Sequence, residues 1–577
     1  MIKILKRHSL LIAILILAAV LRLWAIDFGL PQVQIGDEGA LVGAAMFAGT
    51  HGLRSFRYIY GSLVPYILLI EYGTYFMIGL LQGRFTSMQD LYLSIVKDPR
   101  DVILMGRVTM AIIGVVIVWL TYYVGKQFYS KRIGVLASLF TAIAFLCVKE
   151  SHYLKEGNPA AFFTLACYYF TLKILNNGKT KDYIFAGLML GLGVGAKFEP
   201  LLMTPIVFLS HFVNRGKIIF GNLKYFCLGF ISMILLTFPY VVIDIKTYVQ
   251  ILLKEIHAAK IIYPQHLQNK PVWWWFLTIH IPQGLDIPLF IAAIIGFIIA
   301  IIRSRSNRNY FLISLLPIIF LATIDYWQKF HAARYALLTV PFYAFGAAVF
   351  VDSITGFIKK TQLRFAVLVS CIIGLSFVSV VRSIKFNTMM TKLDTRFISR
   401  NWIEKNIPAG SRVLVETMTR SEYPANINVA LILNSTSIDR YIQQANASGY
   451  PGTYLKALKT VTSGSVGYDL IATGRVDVAK DVESNESTTL TTADYWTKQK
   501  VAYLVLSSWA TKPDMTSEFK KSIINHYVLI KEFQPNPEFS QDPHFVQMDY
   551  QALDSINVLN PDLIFGPKIE VYQIRGS

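Results

Sequence analysis

Long apolar runs recur between residues 10 and 382 and predict membrane-spanning helices. The first, residues 10–26, is long enough to cross most of a bilayer and follows the basic residues Lys3, Lys6 and Arg7. Because positive residues beside a span stay in the cytoplasm, we expect the chain to begin there. Further runs lie at residues 102–124, 133–148, 159–175, 183–196, 200–213, 225–243, 286–302, 310–324, 335–351 and 365–382. The pattern therefore predicts about eleven transmembrane helices.

The segment between the first two spans, residues 27–101, is predicted to be a long loop. Within it, residues 63–81 are apolar, but Pro65, Glu71 and two glycines interrupt them. This pattern favours helices that lie in the membrane interface over a crossing. A crossing there would invert the orientation of everything that follows.

The loops between the apolar runs alternate in charge. Every second loop is short and basic, which is typical of the cytoplasmic side. Their basic residues are Lys126, Lys131, Arg132, Lys179, Lys181, Arg215, Lys217, Lys224, Arg303, Arg305, Arg308, Lys359, Lys360 and Arg364. An odd number of spans then places the C-terminal part of the chain outside the cytoplasm.

From about residue 390 the pattern becomes that of a soluble domain. NWIEKNIPAGSRVLVE predicts a helix, a turn and a strand, and AYLVLSS and PKIEVYQI predict two more strands. We therefore expect a transmembrane domain at residues 1–385, including the extracytoplasmic loop 27–101, and a soluble domain at residues 386–577. The predicted fold class is an α-helical polytopic membrane protein with a C-terminal α/β extracytoplasmic domain.

Composition and charge agree with a membrane protein. The 577 residues are 54% hydrophobic and 16% charged, with a mean hydropathy of +0.45, which excludes an ordinary soluble protein. The net charge of +19 could suit a nucleic-acid partner. However, residues 1–382 hold 35 Lys and Arg against 16 Asp and Glu, whereas residues 383–577 hold 20 of each. Because the excess lies in the part whose loops orient the spans, no nucleic-acid partner is expected.

Two adjacent carboxylates, Asp37 and Glu38, follow the first span by about ten residues, in IGDEGA on the predicted outer face. A carboxylate at this place could take a proton from an acceptor hydroxyl. On an extended loop, adjacent side chains point to opposite sides, so only one of the two would be the base. The alternative is an ordinary solvated turn.

Three basic residues of other outer loops are candidates for holding a phosphate. Lys197 would act as a point charge and Arg334 as a bidentate fork, with His331 nearby in sequence. Alternatively, Lys197 and Arg334 extend from span ends to the interface, and a lone histidine is more often structural. A candidate donor or acceptor loop is the stretch HGLRSFRYIYG, with Arg54, Arg57, Tyr58 and Tyr60.

Several stretches together resemble bacterial membrane glycosyltransferases of the GT-C fold. They are the acidic pair, YGSLVPYILL, SHYLKEGNPAAFFTLACYY, AGLMLGLGVGAKFEPLLMTPIVFL and KFHAARYALLTVPFYAFGAA. The most similar group is that of protein O-mannosyltransferases and aminoarabinose transferases, glycosyltransferase family 39/83-like. WIEKNIPAGSRV and FGPKIEVYQI resemble that group's C-terminal extracytoplasmic domain, so the resemblance covers most of the chain.

This resemblance implies a multi-pass enzyme of the plasma (inner) membrane whose active site faces outward. The family transfers a sugar, with inversion, from a polyprenyl-phosphate donor to an acceptor protein, lipid or polysaccharide. Asp37 matches the family's catalytic acidic residue, with Glu38 beside it. Lys197 matches the lysine of the family's "TK" loop, and Arg334 and Tyr335 match its "RY" motif.

One departure from the family pattern concerns the second acidic site. Relatives have an Asp shortly before a Phe-Phe pair, where this chain has Lys155, Glu156, Gly157 and Asn158. Glu156 either replaces that carboxylate or the site is absent. The sequence therefore establishes no cofactor. Participation of a divalent cation stays open.

Two other classes of function compete with a transferase. A transporter or lipid flippase would place ionisable residues near the midplane on broken helices in paired repeats, whereas here they fall in the outer loops. A catalytically inactive membrane scaffold would have nearly the same sequence. Only an assay separates an enzyme from such a relative.

Overall fold

The computed structural model describes residues 2–31, 36–54, 61–215, 221–250, 253, 270–327, 332–416, 431–447, 453–464, 466–473, 493–508, 523–535, 564 and 566–575. Contacts divide the chain into two compact units. The first unit comprises Met1–Ile26, Ala40–Tyr72 and Met105–Asn387. The second unit comprises Asp27–Gly39, Gly73–Leu104 and Thr388–Ser577.

The predicted apolar runs coincide with helical segments. Up to residue 243 the α-helices are Ile2–Leu23, Gly36–Thr50, Leu63–Leu81, Met88–Lys97, Arg100–Phe128, Lys131–Ile143, Phe145–Glu150, Gly157–Asn176, Thr180–Ala196, Thr204–Arg215, Leu223–Thr237 and Pro239–Ile243. From residue 270 to 406 they are Val272–Trp275, Ile281–Leu285, Ile287–Arg303, Leu315–Trp327, Val340–Gly356, Thr361–Met390 and Thr395–Asn406. Short 3-10 segments lie at Glu199–Met203, Arg308–Ile313 and Ala333–Thr339, and a π-helical turn lies at Phe276–His280.

Several of these helices are long and apolar enough to cross a membrane, which makes the chain an integral membrane protein. Within the described residues, five stretches pass by length and composition: Leu63–Leu81, Arg100–Phe128, Arg308–Tyr326, Ala333–Gly356 and Thr361–Asn406. A sixth results if the bent pair Val272–Leu285 and Ile287–Arg303 counts as one span. The total of eleven spans stays a prediction, because the other predicted runs form shorter or broken helices.

The loop predicted at residues 27–101 contains helices, and residues 63–81 form one continuous helix. The stretch is therefore one helix where several were expected, and its placement in the membrane interface stays a prediction. Pro65 is the third residue of the helix, where its missing N–H has no intrahelical partner to lose. Glu71 accepts a hydrogen bond at 2.5 Å from the hydroxyl of Thr109, which belongs to helix Arg100–Phe128. The Glu71 carboxyl group thus has a partner on a neighbouring helix.

The bend in the helix pair lies at Asp286. The pair is bent by 114° at this point. Asp286 has a φ of 71°, which is rare for a residue with a side chain. The buried Asp286 carboxylate accepts hydrogen bonds from Ser379 and Arg382, both on the helix Thr361–Met390. These contacts offset the cost of the left-handed backbone at the bend.

Glycines allow two close helix crossings in the first unit. Helices Ile287–Arg303 and Val340–Gly356 meet at Gly296, where an added Cβ would come within 1.8 Å of the Gly346 carbonyl oxygen. Helices Thr180–Ala196 and Leu223–Thr237 meet at Gly187, where a Cβ would come within 2.1 Å of the Phe226 carbonyl oxygen. Small residues at such crossings let backbones approach closely, which is how membrane helices gain packing energy.

The second unit is built on a five-stranded sheet. Its strands are β1 (Arg412–Glu416), β2 (Asp469–Thr473), β3 (Tyr503–Ser507), β4 (Tyr527–Phe533) and β5 (Ile569–Ile574), in the order β2-β1-β3-β5-β4. Strand β1 runs parallel to β2 and β3, whereas β5 is antiparallel to β3 and β4. The strands predicted in NWIEKNIPAGSRVLVE, AYLVLSS and PKIEVYQI are confirmed.

Apolar residues cover both faces of this sheet. Val413 and Val415 of β1 belong to one buried cluster with Ile403 of the helix Thr395–Asn406. Leu414, between them, belongs to the opposite cluster with Trp496. Because side chains alternate along a strand, a sheet of parallel strands with two buried faces has few polar positions.

Candidate functional site

The lysine expected to hold a phosphate lies at the end of a helix. Helix Thr180–Ala196 stops at Ala196, and Lys197 caps it with an extended backbone, donating its N–H to the Gly193 carbonyl at 2.9 Å. Pro200 lies at the start of the next, 3-10 segment, and a proline disfavours continued helix before it. Residues 197 and 198 therefore form a short irregular link between two helical segments.

A buried ion pair and an aromatic ring hold the Lys197 side chain. Its Nζ lies 2.6 Å from Oε1 of Glu199 and 4.4 Å from the centre of the Tyr335 ring. Lys197, Glu199 and Tyr335 are all buried. Lys197 thus does not extend its ammonium group to solvent as a snorkelling lysine would. Burying a charge costs much free energy unless it is paired, so this arrangement is typical of a functional site.

Arg334 adds a second cation beside the same ring. Its guanidinium carbon lies 5.3 Å from the Tyr335 ring centre, and the residue is half-buried. Both residues belong to the 3-10 segment Ala333–Thr339, which packs against Glu199–Met203. Two cationic groups thus lie near one aromatic ring, and a carboxylate is paired with one of them.

More buried charges lie on the neighbouring elements. Lys149 and Glu150 form an ion pair of 3.4 Å, with both side chains at most 3% exposed. Lys155 lies 5.5 Å from the Tyr153 ring centre. Glu156 is buried at the start of the helix Gly157–Asn176, which packs against Ala333–Thr339 as Phe145–Glu150 does. The residue suggested as a second acidic site is thus inside the protein.

The acidic pair lies in a helix, so the prediction of an extended loop is wrong. Asp37 and Glu38 both belong to the first turn of helix Gly36–Thr50. Glu38 is fully buried, which contradicts a solvated turn. The Asp37 side chain lies outside the described residues.

The candidate donor or acceptor loop is described only at Arg54. This arginine is exposed and forms an ion pair with Asp244 at 3.3 Å, within the first unit. Arg57, Tyr58 and Tyr60 lie outside the described residues, as does His331. Across the described part of the chain, no group of three His, Cys, Asp or Glu side chains could hold a metal ion.

Sequence reasoning missed Glu199 and the Lys149–Glu150 pair. Glu199 lies within the motif AGLMLGLGVGAKFEPLLMTPIVFL, and Lys149 and Glu150 directly precede SHYLKEGNPAAFFTLACYY. An acid two residues after a lysine at a helix end, followed by proline, is the signal that could have revealed Glu199. Nothing in the sequence shows that Tyr335 contacts Lys197, since 138 positions separate them.

Comparison with known proteins agrees with this fold. Residues 85–242, about a quarter of the chain, match the sequence model of the family described as dolichyl-phosphate-mannose-protein mannosyltransferase. The oligosaccharyltransferase of Archaeoglobus fulgidus, in the apo form, superposes with a TM-score of 0.54 at 11% identity, covering 99% of this chain and 89% of that one. No curated protein sequence matches the chain.

Two other solved structures are similar over almost the whole of this chain. ArnT of Cupriavidus metallidurans, bound to undecaprenyl phosphate, has a TM-score of 0.48 at 10% identity and covers 99% of each chain. Arabinofuranosyltransferase AftD from Mycobacteria has a TM-score of 0.40 at 11% identity, covering 97% of this chain and 40% of that one.

These findings define the fold of the chain. It is the GT-C fold of membrane glycosyltransferases, with a small C-terminal sheet domain, and residues 85–242 match a mannosyltransferase family model. The resemblance noted in its sequence motifs is confirmed.

Proposed function

We propose that this protein transfers a sugar from a polyprenyl-phosphate donor to an acceptor hydroxyl or amine on the extracytoplasmic face of the membrane, with inversion. The matching family model supports a lipid-phosphate donor, because its description names dolichyl-phosphate mannose. The acceptor is a protein, a lipid or a polysaccharide. The sequence motifs supply the assignment of roles to residues.

The observation that carries the proposal is the pair of cations near the Tyr335 ring. Lys197 Nζ lies 4.4 Å and the Arg334 guanidinium carbon 5.3 Å from the ring centre. A phosphate diester gains charge as its bond to the sugar breaks, and preorganised cations stabilise that charge most where water is excluded. Arg334 would bind two phosphate oxygens and Lys197 one.

Glu199 has a distinct part in this arrangement. It keeps the buried Lys197 paired before a donor arrives, which avoids the cost of a lone buried charge. It also fixes the lysine side chain near the Tyr335 ring, so little conformational freedom is lost when phosphate binds. We therefore assign Glu199 a positioning role.

The reaction itself needs one base and no nucleotide. The acceptor oxygen or nitrogen loses a proton to Asp37 and attacks the anomeric carbon from the face opposite the phosphate. The bond from that carbon to the phosphate oxygen breaks, and polyprenyl phosphate leaves with the electron pair. Glu38 orients the acceptor or tunes its neighbour, since adjacent carboxylates influence each other's protonation.

The test is a panel of polyprenyl-phosphate sugars incubated with the purified full-length protein. We expect release of polyprenyl phosphate with at least one sugar, and the same sugar on an acceptor. Asp37→Asn should abolish transfer while donor binding survives, and Glu38→Gln should do less damage. Omitting and restoring Mg²⁺ or Mn²⁺ shows whether a cation takes part. Normal turnover by both variants would contradict the role of the acidic pair, and donor binding without any transfer would favour the inactive scaffold.

A further inference from the structure

Buried polar side chains lie on one face of helix Thr361–Met390, whose other faces are open. Only 6% of the apolar part of the stretch Thr361–Asn406 is buried, so most of this helix needs lipid around it. Ser379 and Arg382 are buried, and they lie on the same face because they are three residues apart. Burying the charge of Arg382 costs free energy unless it is paired, so the partners of this residue indicate its role.

Arg382 and Ser379 hold the bend of the neighbouring helix pair. Nη1 of Arg382 donates hydrogen bonds to the Asp286 carboxylate and to the Gln283 carbonyl oxygen. The Ser379 hydroxyl donates to the other Asp286 oxygen and lies 3.1 Å from the Leu285 carbonyl oxygen. The last carbonyl groups of a helix have no partner within that helix. The two side chains therefore cap the short helix that ends at the bend.

Arg382 also contacts a second element. Its guanidinium carbon lies 4.3 Å from the centre of the ring of Phe145, the first residue of helix Phe145–Glu150. This helix packs against the short helix Ile281–Leu285. Gly284 allows the close approach, because a Cβ there would lie 3.1 Å from a side-chain carbon of the helix that follows Ala144. Arg382 thus joins two elements that are already in contact.

The same two elements flank the segment that carries the candidate phosphate ligand. Both pack against the 3-10 segment Ala333–Thr339, which contains Arg334 and Tyr335. A 3-10 segment has poorer hydrogen-bond geometry than an α-helix, so its position depends more on its neighbours. The placement of the Arg334 side chain therefore depends on the elements that Arg382 joins.

We propose that Arg382 is a positioning residue for the donor phosphate site. It fixes the bend at Asp286 against helix Phe145–Glu150, so that the segment Ala333–Thr339 presents Arg334 to the phosphate. A displacement of about 1 Å in such a group can cost about 100-fold in rate. This inference rests on the proposed function, because it takes Arg334 as a ligand of the donor phosphate.

Two variants remove the contacts of Arg382. Arg382→Met removes the charge and keeps an apolar side chain near Phe145. Arg382→Met combined with Asp286→Asn removes both buried charges, so it keeps the test decisive if the single variant does not fold. Asparagine tolerates the left-handed backbone at the bend, as aspartate does. Arg382→Lys keeps the charge and should lie closer to the wild type in every measurement.

The test follows hydrogen exchange and lipid binding in the full-length protein in detergent micelles. Exchange of the backbone amides of residues 333–339, measured by mass spectrometry, should quicken about tenfold or more in both methionine variants, because local opening becomes easier. The Kd of undecaprenyl phosphate, the binding probe, should rise about tenfold, because a displaced Arg334 binds phosphate less well. Loss of folded protein alone would lower the amount bound at saturation and leave the Kd unchanged.

Arg303→Met is the matched control. Arg303 pairs with Asp352 at 2.9 Å, at the end of helix Ile287–Arg303 that is remote from the bend. Because this pair is partly exposed, both measurements should stay within about twofold of the wild type.

Three results would overturn the proposal. They are unchanged exchange of residues 333–339 in the double variant, faster exchange with an unchanged Kd, and equal effects in Arg303→Met. Neither measurement needs turnover. Absence of transfer with every sugar would therefore contradict the proposed function, while the exchange and the Kd still decide the role of Arg382.

Discussion

Lys197 is the residue on which the proposed chemistry depends most. Its ammonium group is buried, paired with Glu199 and close to an aromatic face. A substitution at this position also affects stability. Removing one partner of a buried ion pair leaves the other charge uncompensated, which lowers the free energy of unfolding by about 3–5 kcal/mol. A stability effect must therefore be separated from an effect on the reaction.

We expect Lys197→Ala and Arg334→Ala each to lower turnover by roughly two to four orders of magnitude, as loss of one preorganised charge-stabilising group can. This corresponds to about 3–5 kcal/mol in the activation barrier. Turnover with a polyprenyl-phosphate sugar, alongside the apparent unfolding temperature, provides the measurement. Full activity in both variants would mean that neither cation contacts the donor.

The double variant Lys197→Met with Glu199→Gln is the control for stability, because it removes both buried charges together. It should recover the unfolding temperature lost by the single lysine variant and remain inactive. Glu199→Gln alone should keep activity within about tenfold, as it removes a positioning group and leaves the cation. Recovery of turnover in the double variant would show that Lys197 serves only to neutralise Glu199.

At the scale of single elements, strand β2 begins with an acidic residue that joins three elements. The Asp469 carboxylate accepts hydrogen bonds from Nε of Arg412 at 2.6 Å, from Arg440 and from the Ser437 hydroxyl at 3.0 Å. Partial burial opposes ionisation of Asp469, but the hydrogen bonds from Arg440, Arg412 and Ser437 outweigh it and lower its pKa. The carboxylate thus ties β1 and the helix Ser435–Ala447 to β2.

A carboxyl group whose pKa is lower in the folded state stabilises the fold above its unfolded pKa, about 3.9, and loses that contribution as pH falls through the folded pKa. We therefore expect Asp469→Asn to destabilise the second unit by about 1–2 kcal/mol at pH 7 and to reduce its loss of stability on acidification. Thermal unfolding of the full-length protein at pH 7 and pH 3 tests both.

Asp439→Asn is the comparison for this prediction. Asp439 pairs with Lys459 at 2.6 Å, but both side chains are nearly half exposed. Exposed pairs contribute little, so the change should stay within about 0.5 kcal/mol. Equal effects of the two substitutions would contradict a special role for Asp469.

For the whole molecule, orientation in the membrane is the property on which the proposed function depends. The alternating basic loops predict a cytoplasmic N-terminus and an extracytoplasmic C-terminal domain. The structure adds a complication, because Leu63–Leu81 is a continuous helix that is long and apolar enough to cross. Only 28% of its apolar window is buried inside the protein, so the rest needs lipid or an interface.

A reporter that is active only outside the cytoplasm, fused after Ser577, should be active. A reporter active only in the cytoplasm should be silent there and active when inserted beside Arg305. The reverse result would mean that the number of spans is even, and Leu63–Leu81 would then be the first helix to count as a crossing. The proposed function would fail with it, because Lys197, Arg334 and the C-terminal domain would then face the cytoplasm.

The sequence by itself determined most helices of the membrane unit and three of the five strands of the second unit, β1, β3 and β5. Both follow from local patterns: long apolar runs for helices, and short β-branched runs near turns for strands. The sequence motifs also selected Lys197, Arg334 and Tyr335 as candidates for one site, and these residues do lie close together; that they bind a donor phosphate stays a prediction. The helix at Gly36–Thr50 was missed, because its Ala- and Gly-rich residues form no strongly apolar run.

Only the tertiary structure decided which charges are buried and how they are paired. Lys197 and Glu199 form an ion pair at the point where one helix ends and a 3-10 segment containing Pro200 begins. The Tyr335 ring, which contacts Lys197, belongs to a segment far away in sequence. Asp286 and Arg382 meet only because a helix pair bends sharply between them. Hydrophobic periodicity places elements, but the cost of burying a charge depends on neighbours that are far away in sequence.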